Sequence, residues 1–167
     1  MAARSASRWL RAFLTVLGVT VVGGRVAGAE ATPYDRTIAR VITLLPKRPA
    51  IVVVFDATEA RPEVRQKLLT LDSFVTREGQ AIYLVRQSKV LQGAVEGRDT
   101  LFDYMLATII WHEMAHLSGA DEHGARKAEQ ELWTRYVRDG VCDQMTALRY
   151  LRALAARPDD TVMAGMR

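Results

Sequence analysis

The chain has 167 residues, with 23 Lys and Arg against 19 Asp and Glu, three histidines, one cysteine and a formal charge of +4. Four of the arginines and none of the acids lie in residues 1–29, so residues 30–167 balance at 19 basic against 19 acidic and no nucleic-acid partner is expected. Cys142, alone, rules out an internal disulfide, so packing must hold the fold, and it leaves no lipid-attachment cysteine near residue 29.

Residues 1–29 read as a signal peptide. Arg4, Arg8 and Arg11 precede an uncharged run from Ala12 to Gly24, and Ala27-Gly28-Ala29 forms a small-x-small cleavage site. Thirteen apolar residues rise about 20 Å as a helix, short of a hydrocarbon core of about 30 Å. The expectation is export, to a bacterial periplasm or as a secreted protein, with no stable membrane span once the signal is cleaved. Residues 30–156 then suit a single domain, and residues 157–167, with Pro158, a flexible C-terminal tail.

Thr32 and Pro33 open a helix whose apolar residues are Ile38, Val41, Ile42 and Leu45, and Pro46 and Pro49 close it. "AIVVVFDA" (50–57) reads as a buried strand. From Pro62 to Thr76, Val64, Leu68, Leu71 and Val75 recur at helical spacing, and "QAIYLVRQ" (80–87) reads as the second strand, covered mainly on one side. A helix follows, with Thr100 and Asp103 forming a capping box and Gly119 closing it. A second helix should run from Asp121 to Arg138, and a third from about 142 to 156 with Met145, Leu148, Leu151 and Leu154 inward. The predicted class is α+β: a small sheet, then a helical half.

All three histidines fall in "IIWHEMAHLSGADEHGA" (109–125). His112-Glu113-Met114-Ala115-His116 is an H-E-x-x-H motif on a helix, where residues four apart share a face and two imidazoles can converge on one ion. Zinc accepts neutral imidazole and a carboxylate and leaves a fourth position for water when the site is catalytic. Glu113, beside the first histidine, is positioned to move a proton. A third ligand is needed: Glu122 follows His116 by six residues, after a turn at Gly119. Ala125, one turn later, would let the two helices approach closely.

This segment, about residues 80 to 138, resembles the zincin metallopeptidases, and its histidine-histidine-glutamate set is most similar to the small members of the gluzincin branch. The resemblance implies zinc bound by His112, His116 and Glu122, with Glu113 as general base. It also implies a sheet whose edge strand binds extended peptide, a part that residues 80–87 could play. The five residues between His116 and Glu122 are fewer than gluzincins use and match the tighter metzincin loop. Glu129, seven residues beyond Glu122 on the same helical face, is the alternative third ligand, with His123 and Asp121 behind it. With Glu122 on the metal, Glu129 is available to orient a histidine.

Trp111 and Met114 read as packing residues and His123 as a surface residue. Tyr83, Tyr104 and Tyr136 are candidates to stabilise an oxyanion, with packing the competing role for each. The leading expectation is an exported zinc metallopeptidase, a hydrolase acting on peptide or protein substrates. The alternative is a non-catalytic, zinc-stabilised envelope or interaction domain in which Glu113 is a bystander. Nothing in the sequence sets the substrate or the oligomeric state.

Overall fold

The computed structural model describes residues 30–76 and 79–155; the expected signal peptide and C-terminal tail lie outside them. The first helix, α1 (Pro33–Ile42), starts as its residues dictate. Thr32 Oγ1 accepts the Asp35 N–H at 3.1 Å while Asp35 Oδ2 accepts the Thr32 N–H at 2.8 Å, and Pro33 sits in the first turn. Strand β1 (Ile51–Phe55) leads through a short 3-10 turn (Ala57–Glu59) to α2 (Pro62–Leu68).

Here the molecule departs from the helical spacing of residues 62–76. The helix ends at Leu68, and Ser73–Val75 form strand β2, antiparallel to β3 (Ala81–Val85). Pairing decides this. Phe74 lies opposite Tyr83, their rings stacked at 5.0 Å, and Phe55 meets Phe74 edge-on at 5.6 Å. Cross-strand aromatic contacts of this kind outweigh a local helical preference. The sheet order is β1-β3-β2, with β1 and β3 parallel in the register Val53↔Tyr83. Residues 80–87 therefore supply the central strand, and the edge beside the helical half is β2.

A further helix, α3 (Lys89–Glu96), was not anticipated; Ser88 Oγ caps it and Gly97 closes it at φ +63°. A Cβ at Gly93 would stand 2.6 Å from the Phe102 ring, so glycine lets α3 lie against α4 (Thr100–Leu117). The cap of α4 also differs from expectation. Asp99 accepts the Leu101 N–H at 2.9 Å, whereas Asp103 receives Arg40 Nε and Nη2 at 2.7 and 2.9 Å. That bidentate pair ties α1 to α4, a use of Asp103 that its own helix does not reveal.

Leu106 to Ile110 are all buried, five consecutive residues and more than one helical turn. The middle of α4 is therefore covered on every side, by α1, α3, the sheet and α5 (Glu122–Arg138). Val41, Val52, Ile82, Leu84, Leu91, Leu106, Ile110 and Trp133 form one core; each fully buried aliphatic side chain contributes about 1.5–3 kcal/mol. Helix α6 (Gln144–Ala155) docks through Ala147 and Tyr150. Two of the four residues expected to face inward face the other way, with Met145 60% and Leu148 39% exposed, because the Tyr150 ring seated on Trp133, 4.2 Å between centroids, sets the rotation of the helix. The Leu151 and Leu154 side chains lie outside the described residues. Among the described residues no helix is long and apolar enough to cross a membrane, and Cys142 is a half-buried free thiol packed on the core. The observed class is α+β, a small mixed sheet followed by helices, as the sequence predicts.

Candidate metal centre

Helix α4 sets His112 and His116 one turn apart, and the chain then reverses tightly. Gly119 takes φ +93°, where a side chain would be strained, and Asp121 Oδ1 caps α5 by accepting the Gly124 N–H at 2.8 Å. Ala125 is fully buried between the helices, so α5 approaches closely enough to bring Glu122 over the histidines. The result is a triangle. His112 Nε2 and His116 Nε2 lie 3.1 Å apart, and Glu122 Oε2 lies 3.7 Å from the first and 3.3 Å from the second.

The far side of each ring decides what the triangle can hold. His116 Nδ1 lies 3.0 Å from the Ala120 carbonyl, which can only accept, so a neutral His116 carries its proton there. His112 Nδ1 lies 3.1 Å from Glu129 Oε2, again an acceptor, though the contact is bent away from full hydrogen-bond geometry. With the His112 proton on Nδ1 as well, both Nε2 atoms present lone pairs to each other and to a carboxylate oxygen. Three lone pairs so close repel unless a proton or a cation lies between them.

The donor chemistry and spacing fit zinc. Ligands arranged tetrahedrally at about 2.0–2.1 Å from the ion lie about 3.3 Å from one another, close to the three separations here. Glu122 keeps one oxygen free of its neighbour: its Oε1 receives Arg126 Nε at 2.6 Å, and Oε2 faces the cluster. Burial alone would raise the Glu122 pKa, but Arg126 and the two histidines outweigh it and hold the carboxyl below its usual range. For His112 the balance runs the other way. Burial disfavours its charged form, yet Glu129, Glu113 and Glu122 together raise its pKa.

Glu113 is 6% exposed and faces the sheet. Its Oε1 accepts the Ser73 hydroxyl, from β2, at 2.6 Å. Burial pushes its pKa above the usual carboxylate range, and Glu122 adds to this, while Ser73, His112 and His116 pull it back. The strand carrying Ser73 also has a free edge. The Asp72 carbonyl accepts the Val85 N–H, so with the observed register Asp72 and Phe74 address β3 and the peptide groups of Ser73 and Val75 point away from it. Among the described residues no strand pairs with that side.

Of the sequence-derived candidates, His112, His116 and Glu122 are brought together, with Glu113 beside them. Glu129 lies against the opposite edge of His112, buried to 1% exposure, in the orienting position. Asp121 is occupied in its cap, and His123 is exposed and outside the triangle. Trp111 and Met114 pack on the core. The Tyr136 hydroxyl donates to the Leu44 carbonyl at 2.9 Å and its ring meets Tyr104 edge-on at 4.9 Å; burial lifts its pKa to about 12. Tyr83 stacks on Phe74. All three tyrosines are thus in packing contacts.

Sequence reasoning missed Ser73 and Tyr150. Ser73 lay inside a stretch read as helix, and its partner is 40 residues away. Tyr150, whose hydroxyl donates to Glu129 Oε1 at 3.1 Å, sits at helical spacing beside the apolar residues of α6, and that spacing was a usable signal. Comparison with protein-family models, with curated proteins and with solved structures finds no match for this chain.

Proposed function

We propose that this protein is an exported zinc-dependent metallopeptidase. The observation that carries the reading is the convergence of two imidazole nitrogens and one carboxylate oxygen beside a buried glutamate that takes no part in the triangle. His112, His116 and Glu122 would hold the ion. Bound there, zinc supplies Lewis acidity, polarising a carbonyl and making a water molecule more acidic.

The remaining work belongs to the chain. Ser73 fixes one oxygen of Glu113, and Oε2, which Ser73 does not engage, accepts a proton from the attacking water and delivers it to the leaving nitrogen. A carboxyl whose pKa is raised by burial is better matched to that two-way transfer than an exposed one. An extended peptide can add to the free edge of β2, its backbone paired with Ser73 and Val75, which lays it beside Glu113. The edge-strand role suggested for residues 80–87 passes to Ser73–Val75.

The test pairs metal analysis with hydrolysis of an unfolded protein substrate. Wild type should carry about one zinc per chain and cleave. Glu113→Gln should keep the zinc and lose about 10²–10⁴-fold in rate. Equal cleavage by Glu113→Gln would remove Glu113 as base. Zinc without cleavage in either form would leave the non-catalytic, zinc-stabilised domain as the better reading.

A further inference from the structure

The metal-facing side of His112 is only half of its environment. Behind it lies a buried polar chain spanning three helices. Glu129, from α5, is 1% exposed and places Oε2 at 3.1 Å from His112 Nδ1. Its Oε1 accepts the hydroxyl of Tyr150, from α6, at 3.1 Å. The Tyr150 oxygen lies 2.9 Å from Thr108 Oγ1, on α4, one turn before His112. The Tyr150 ring is clamped on Trp133, one turn after Glu129 on α5.

Proton counting gives this chain a direction. A carboxylate only accepts, so the single Tyr150 proton goes to Glu129. Thr108 then offers its own proton to the Tyr150 oxygen or to the Met105 carbonyl, 2.9 Å away. Glu129, its Oε1 engaged by the phenol, presents Oε2 to the histidine. A carboxylate this deeply buried, deprived of one donor, would turn toward another and carry the imidazole with it.

We propose that Tyr150 is a positioning residue of the metal centre: its hydroxyl holds Glu129, Glu129 holds the His112 ring and its tautomer, and so the last described helix sets the affinity of a site it never touches. This rests on the metal-centre reading above. It goes beyond it in making the docking of α6 part of the site rather than a distant prop.

The experiment measures zinc affinity by competition with a coloured chelator and, on the metal-free protein, the His112 tautomer by imidazole ¹⁵N NMR. Tyr150→Phe, which removes one oxygen, should bind zinc about tenfold more weakly and lose the single Nδ1–H tautomer; Glu129→Gln should approach about 100-fold. Tyr136→Phe serves as control. It removes a phenol oxygen from another buried tyrosine of the same core, on the Leu44 carbonyl, and should leave affinity within about twofold and the His112 spectrum unchanged. If Tyr150→Phe does not fold, Thr108→Val cuts the same chain one link earlier and should weaken binding about threefold. Affinity within twofold in Tyr150→Phe, with an unchanged tautomer, overturns the positioning role while the metal centre stands. An equal loss in Tyr136→Phe overturns it too, since the effect would then be general loosening. Wild type that takes up no zinc removes the metal reading and this inference together.

Discussion

Two buried glutamates stand on either side of the histidine pair, Glu113 on the same helix and Glu129 on α5, and they are held in opposite ways. On the sheet side, Glu113 has one hydroxyl, Ser73, from a three-residue edge strand. On the helical side, Glu129 is gripped from two helices, by His112 and by a phenol that is itself seated on Trp133. The difference matches what each carboxylate would have to do. A group that takes up and releases a proton must be able to change its partners, and one hydroxyl at a strand edge allows that. A group that aims a ligand must not move, and contacts from two helices in the core restrain it.

Substitutions can break either side separately. The largest expected effect is on the helical side: Trp133→Ala removes a fully buried indole and should destabilise by about 3–5 kcal/mol in urea unfolding. Because Tyr150 rests on that ring, zinc affinity should fall along with stability.

On the sheet side the expected change is smaller and appears in pH dependence. The Glu113 carboxyl has a raised pKa in the fold, so the folded state favours its protonated form. Its contribution to stability is fully present below the unfolded-state pKa and is lost as pH rises through the higher folded value. Ser73 pulls that value down, so Ser73→Ala should raise it and carry the loss to higher pH. Urea midpoints of the metal-free proteins, followed across the acidic range, check this, and kcat/KM should fall about tenfold or less. A Ser73→Ala profile that overlays wild type would mean that the serine does not govern Glu113.

The smallest expected effect comes from the remaining histidine. His123→Ala should leave zinc content, affinity and stability unchanged within about 0.5 kcal/mol, since the side chain is exposed. Loss of metal in that variant would redraw the ligand set.

The helical side was also the more legible in the sequence. Motif spacing, Gly119 and Ala125 are local signals, and they led to an α4–α5 hairpin with His112, His116 and Glu122 together. Glu129 was legible too, as a residue on the same helical face. The sheet side was not. Ser73–Val75 continue the helical spacing of Val64 and Leu68, and only pairing with β3 makes them a strand. Asp103 was misread because its partner, Arg40, is 63 residues away, and Met145 and Leu148 because Tyr150 sets the rotation of α6. In each case the deciding contact is distant in sequence.

The tight reversal at Gly119 has a consequence for how the chain reaches this state. His112 and Glu122 are ten positions apart, whereas Val53 and Tyr83, paired in the parallel sheet, are thirty apart. Closing the longer loop costs about 1 kcal/mol more in chain entropy. Local hairpins of this kind gain their contacts before non-local strand pairs do. In pulse-labelled hydrogen exchange during refolding, amides of α4 and α5 should gain protection before those of β1 and β3. The ligand triangle would then take shape on a chain whose sheet has not yet formed.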